Sequence, residues 1–128
     1  MPHEKLARNE KIEVVKLTAP LIAFALILTG CKSTPPPKPL SELTPTERSG
    51  RAVYSARCGA CHNDRVDKPL NGPSLLGLYK KPYLPSGAPA NDDRITNTIQ
   101  HGRNNMPALG DTISAEETSD LLAYLKTL

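Results

Sequence analysis

Apolar positions in this chain recur at helical spacing and nowhere alternate with period two for long enough to make a strand. Leu121, Leu122, Tyr124, Leu125 and Leu128 form one such face, and Ile95 and Ile99 share another at a spacing of i, i+4. Start and stop signals frame both. Ser114-Ala115-Glu116-Glu117 is a capping-box pattern ahead of the first face. Asn91-Asp92-Asp93 places a polar cap and negative charge before Ile95, and Gly102 suits the end of that helix. Further upstream, Thr44-Pro45-Thr46-Glu47 offers an N-cap, a proline at the first helical position and a capping-box glutamate. The pattern predicts a helix from there through about Arg57 and into residues 58–62, and an all-α architecture.

The front of the chain follows a different grammar. Lys5, Arg8, Lys11 and Lys16 precede the apolar run 21–28, far short of the roughly 20 residues that span a bilayer as a helix. A basic segment followed by a short apolar one is the pattern of a secretory signal peptide. The run ends in Leu28-Thr29-Gly30-Cys31, which resembles the bacterial lipobox, where cleavage falls before the cysteine and that cysteine receives the lipid. Lys32 to Pro39 holds a cluster of prolines that cannot sustain a helical or ladder hydrogen-bond series, and it is expected to run as extended polyproline. Such a segment serves either as a spacer or as a featureless tail. The expected division is residues 1–30 signal peptide, 31–43 lipidated cysteine and tether, and 44–128 one folded domain.

That domain is short and has a thin core: the chain contains one Phe and no Trp. Residues 31–128 hold 12 basic and 10 acidic side chains. So small a surplus, without a basic block, argues against nucleic acid as a partner.

Chemistry enters at Cys58-Gly59-Ala60-Cys61-His62. In a Cys-x-x-Cys-His pentapeptide the two thiols can form thioethers to a haem while the histidine ligates its iron. Cys-x-x-Cys also serves thioredoxin-like redox sites and half of a zinc site. The first needs a strand-helix-strand context, and the second needs further ligands, whereas the chain has only Cys31, Cys58 and Cys61. With one such motif and no internal repeat, one covalent haem c is expected, and its buried surface and two covalent links would support the thin core.

Iron held only by His62 would be open to small ligands; a second protein ligand closes it for electron transfer. Met1 falls within the signal segment, which leaves Met106, on the irregular stretch Asn104-Asn105-Met106-Pro107-Ala108-Leu109-Gly110, as the candidate. His101, before Gly102 at a helix end, is the rival ligand, and a capping or surface role is its other reading.

Together these residues resemble a class I c-type cytochrome of the small bacterial monohaem kind, in lipoprotein form, over about residues 44–128. The carriers are the pentapeptide, Gly50 and Tyr54, Gly72-Pro73-Ser74-Leu75, Asn105-Met106-Pro107 and Leu122-Ala123-Tyr124-Leu125. The resemblance implies a helical domain wrapped around one covalent haem, with first and last helices crossing at Gly50 near Tyr124. It also implies that the Pro73 carbonyl accepts the other N–H of the ligating His62. Residues 77–90 are expected to cover the haem edge, with Tyr79 or Tyr83 as hydrogen-bond donors, and Lys80, Lys81 and Arg103 as charges that could rim a docking face.

The function implied is a membrane-tethered, extracytoplasmic electron carrier rather than an enzyme. Its partners would be a dehydrogenase or respiratory complex on one side and a terminal oxidase or reductase on the other. A fixed haem subunit of an oxidoreductase complex, or a haem-based sensor or enzyme, are the alternatives.

Overall fold

The computed structural model describes residues 34–128; the expected signal segment 1–30 and the lipid-attachment cysteine, Cys31, lie outside the described residues. Three α-helices form the body: α1, Pro45–Arg57; α2, Asp92–His101; and α3, Ala115–Leu125. Short 3-10 turns at Leu40–Glu42 and Leu78–Lys80 were not anticipated from the sequence. Among the described residues the only β-type pairings are isolated bridges, Tyr83 with Pro89 and Arg103 with Met106. The all-α expectation holds.

Each helix begins where its polar signal stands. The Thr44 hydroxyl accepts from Glu47 N at 3.2 Å while the Glu47 carboxylate accepts from Thr44 N at 2.7 Å, so two otherwise orphaned donors are satisfied at once. Ser114 and Glu117 repeat the arrangement at 3.1 and 2.8 Å. Asn91 caps α2 through its side-chain oxygen on Arg94 N at 3.0 Å, and Gly102, at φ 70°, ends it.

Helices α1 and α3 pack against each other at Gly50. A β-carbon there would stand 1.9 Å from the Asp120 carbonyl oxygen and 2.9 Å from Tyr124 Cβ, so only a residue without a side chain lets the backbones come this close. Around the crossing, Leu121, Tyr124 and Leu128 are wholly enclosed, and Leu43, Tyr54, Ile95, Ile99, Ile113, Leu122 and Leu125 complete the buried core. The rings of Tyr54 and Tyr124 meet at 5.8 Å and 47°, a tilted aromatic pair across the helix interface.

Helix α2 is held to the C-terminal end of α3 at its rim. Tyr79 donates its hydroxyl proton to Asp92 at 2.9 Å, Lys126 bonds the other oxygen of the same carboxylate at 2.7 Å, and the Lys126 ammonium lies 5.5 Å from the Tyr79 ring centre. The Lys126 bond, and then the Tyr79 bond, hold the Asp92 carboxyl below its ordinary value. Tyr79 is therefore engaged at α2, while Tyr83 is 62% exposed.

From Thr34 to Pro39 the described proline-rich stretch forms no regular element, and Pro39 has polyproline dihedrals of −55° and 141°. It lies against the folded body. Lys38 N donates to the Thr127 carbonyl at 2.8 Å, and Arg65 donates to the Lys38 carbonyl at 2.9 Å.

Candidate haem-binding site

The sequence expected α1 to run into the pentapeptide. Instead α1 ends at Arg57 with Cys58 as its cap, and Cys58–Cys61 continues as turn. The reason is local: Cys58 N and Gly59 N both bond the Tyr54 carbonyl, at 2.8 and 2.9 Å, so the helical ladder bifurcates and closes. Beyond that point Cys61 N and His62 N both return to the Cys58 carbonyl at 3.0 Å. One tight turn thus carries Cys58, Cys61 and His62. Both cysteines are half-buried free thiols, and burial, then the neighbouring Cys61, pushes the Cys58 thiol up to about 11.

His62 is fixed from several directions. Its Nδ1 lies 2.8 Å from the Pro73 carbonyl oxygen. A carbonyl only accepts, so Nδ1 carries the proton and Nε2 keeps its lone pair for a metal. The imidazole is seated on Gly72, where an added β-carbon would be 2.3 Å from its Cε1 and 2.7 Å from Nδ1. The loop that brings Gly72 and Pro73 to this place is stitched to the motif by Gly72 N to the Cys61 carbonyl at 2.8 Å and Leu75 N to the Asn63 carbonyl at 2.7 Å. Ser74 adds a bond to the Val66 carbonyl at 2.9 Å.

A second set of contacts ties this loop to the helix crossing. The Tyr54 hydroxyl donates to the His62 carbonyl, and the Tyr124 hydroxyl donates to the Asp64 carboxylate. Burial first, and Asp64 after it, push both phenols up to about 12, so both remain neutral donors through the physiological range. Tyr54 was among the residues that carried the family resemblance, yet its bond to His62 was not foreseen. Asp64 was missed altogether, because a lone aspartate two residues past the motif carries no signal until Tyr124, sixty residues away, is brought to it.

Met106 is positioned by a smaller device. Arg103 and Met106 exchange backbone bonds, N to O, at 3.0 and 2.9 Å, with Asn104 between them at φ 51°. This tight turn sits against Gly102, whose φ of 70° demands glycine and whose β-carbon would meet the Met106 carbonyl at 2.5 Å. Leu109 N and Gly110 N then return to carbonyls of Ile99 and Gln100 at 2.9 and 3.2 Å, which closes the segment onto α2. The Met106 side chain is half-buried and, like Cys58, packs on the core cluster. His101 is exposed, at the last position of α2.

These residues fit a covalently held haem. Two free thiols on one turn could supply thioethers. A neighbouring histidine has its tautomer and ring plane fixed by Pro73 and Gly72, and a half-buried thioether side chain stands on an independent turn.

Comparisons with known proteins agree. A family profile described as "Cytochrome C oxidase, cbb3-type, subunit III" matches residues 45–125. The chain is 31% identical over 77 residues to cytochrome c6 of Parathermosynechococcus lividus, covering 60% of this chain and 84% of that protein. It is 32% identical over 77 residues to cytochrome c6 of Pyropia tenera, covering 60% and 86%. It is 27% identical over 108 residues to cytochrome c6 of Rippkaea orientalis, covering 82% and 86%. Among solved structures, cytochrome c6 from the diatom Phaeodactylum tricornutum aligns at 30% identity over 62% of this chain and 88% of that one, with a TM-score of 0.45.

Proposed function

From the premise that this chain belongs to the family of that profile and is a class I c-type cytochrome, we propose that Cys58 and Cys61 hold its haem, that His62 and Met106 are the axial ligands of the iron, and that the domain works as a lipid-anchored carrier outside the cytoplasm. Proteins of this class carry one covalent haem c and move single electrons; this chain is an electron carrier and not an enzyme.

The observation that carries the ligand assignment is the hydrogen bond from His62 Nδ1 to the Pro73 carbonyl at 2.8 Å, over Gly72. When bound, the haem supplies a one-electron couple between ferric and ferrous iron. The chain's residues set its conditions. The Nδ1–H bond raises the donor strength of Nε2 and fixes the imidazole plane. The Met106 thioether is a soft donor that favours ferrous iron and so raises the potential. Were His62 and Met106, each on a fixed turn, both to hold the iron, the ligand set would hardly change between oxidation states and exchange would be fast.

The class implies redox partners; a dehydrogenase or respiratory complex as donor and a terminal oxidase or reductase as acceptor are the proposed pair. The lipid anchor at Cys31 rests on the signal-type sequence ahead of it. A second reading is favoured by the profile's own description, which is that of an oxidase subunit: the domain is then a fixed haem subunit of an oxidoreductase complex. Co-purification through detergent and salt separates the two, since a mobile carrier leaves alone and a subunit leaves with its complex.

The test of the ligand set is a redox titration of the haem-loaded protein followed optically, with carbon monoxide added to the reduced form. A positive potential, a ferric sulfur-to-iron charge-transfer band and no carbon monoxide binding are expected. Ready carbon monoxide binding by the unmodified protein would overturn Met106 as a ligand.

A further inference from the structure

The proline-rich segment is expected to act as a spacer or a tail, yet its described part contacts five residues of the domain. Thr34 lies over Gly77, where a β-carbon would be 2.5 Å from the Thr34 methyl group and where φ is 67°. Lys80 Nζ reaches the Pro35 carbonyl at 3.4 Å, and Arg65 holds the Lys38 carbonyl at 2.9 Å. Lys38 itself donates from its backbone to Thr127 at 2.8 Å, and its ammonium pairs with the Glu47 carboxylate at 2.8 Å. Arg65 Nη1 is buried without a partner beneath this strap, a cost that the two carbonyl contacts of Nη2, to Pro37 and Lys38, offset.

The strap changes what an anchor does. Prolines already hold an extended conformation in the unfolded chain, so ordering them on the surface loses little entropy. With Thr34 docked, only three peptide units separate it from Cys31, and a chain of that length spans at most about 11 Å. A lipid on Cys31 would therefore keep Thr34 within about 11 Å of the lipidated residue.

Two lysines stand at or beside the corner where Thr34 docks. Lys80 and Lys81 are both exposed, Lys80 touches the strap, and Lys32 in the sequence lies on the same three-residue link. Tyr83, 62% exposed, follows two residues after Lys81. Lysine with tyrosine is the composition of a surface that meets lipid headgroups.

We propose that the corner formed by Thr34–Pro36, Gly77, Lys80 and Lys81 is a membrane-docking face whose partner is the anionic phospholipid headgroup, and that the strap mounts the domain on it in one orientation. The inference rests on lipidation at Cys31. It leaves the carrier only short reach, so its donors and acceptors are at the same membrane or come to it.

The experiment uses the haem-loaded, lipidated full chain in vesicles of phosphatidylcholine alone or with one-third phosphatidylglycerol, and follows lysine acetylation site by site by mass spectrometry. Intact mass reports first whether Cys31 carries a lipid; a mature chain without one overturns the anchor and this inference together. With the lipid present, Lys80 and Lys81 should acetylate at least about five-fold more slowly on the phosphatidylglycerol vesicles, recover their rate in high salt, and leave Lys68 unchanged. Equal rates on the two vesicles would overturn the docking face while leaving the anchor standing. The variant Arg65→Gln with Lys38→Ala releases the strap, and the protection should vanish with haem spectrum and lipid mass intact. Protection that survives in this variant would overturn the mounting role.

Discussion

The two sides of the proposed iron site are built to different standards. On the histidine side, the ring is fixed by a hydrogen bond to Pro73 and a seat on Gly72, and the backbone by Tyr54, while the loop is tied through Asp64 to Tyr124. Tyr54 and Tyr124 come from the α1–α3 crossing, and the loop carrying Gly72 and Pro73 is bonded to the motif at Cys61 and Asn63. On the methionine side, Met106 depends on one exchanged pair of backbone bonds and a glycine, at the end of α2, which touches α3 but not α1 in any extended contact. The contrast teaches that the histidine is braced by side-chain hydrogen bonds from several elements, whereas Met106, though it packs on the core cluster, is positioned by backbone bonds of its own segment. Local opening should therefore begin at the methionine.

The sharpest way to break the comparison is at the shared foundation. Gly50→Val drives side-chain atoms into Asp120 and Tyr124 and should cost about 3 kcal/mol or more, a loss of cooperative thermal unfolding that takes both ligand positions with it. If only the methionine side suffered, the crossing would not be the foundation. Next comes Gly72→Ala, which places a methyl group inside contact distance of the imidazole. It should cost about 2 kcal/mol and, by weakening the Nδ1–H bond to Pro73 and so the donor strength of Nε2, raise the haem potential, both read from a potentiometric titration run beside thermal melts.

Tyr124→Phe removes the donor to Asp64 and should cost about 1–2 kcal/mol by denaturant titration, with the haem spectrum unchanged. Met106→Ala tests the other side. Its side chain is only half-buried, so stability should fall by about 1 kcal/mol, while carbon monoxide now binds the reduced protein. A larger stability loss than that of Tyr124→Phe would reverse the ranking of the two sides.

The smallest effect is one of pH. The Lys38 ammonium, and then the Thr44 N–H, hold the Glu47 carboxyl below its ordinary value of 4.5. A carboxyl depressed in the folded state contributes its stability fully above the unfolded value and loses it as pH falls through the folded one. The melting temperature should therefore decline slightly below about pH 4.5, and Lys38→Met should shrink that decline; a surface pair contributes at most about 1 kcal/mol.

Much of this was legible beforehand. The three helices and their caps were readable because capping is decided within four residues, and hydrophobic spacing reports one face of one helix. That the chain carries one covalent haem was readable for the same reason: the two cysteines and the histidine of the motif are neighbours in the chain. The end of α1 before Cys58 was not, since it depends on the Tyr54 carbonyl accepting from both the Cys58 and the Gly59 amides. Tyr79 shows the same limit, for its hydroxyl went to Asp92, and composition offered no means of choosing between that carboxylate and a haem edge.

By itself, then, the sequence determined the element types, the caps, the covalent haem motif and the family. Tertiary structure alone decided that Asp64 meets Tyr124, that Gly72 lies under the imidazole, and that the proline segment is strapped down by Arg65, Lys38 and Lys80. Local signals are short-range consequences of backbone hydrogen bonding and side-chain periodicity. Contacts between residues tens of positions apart exist only after the α1–α3 crossing has closed the loops between them, and no single segment encodes that closure.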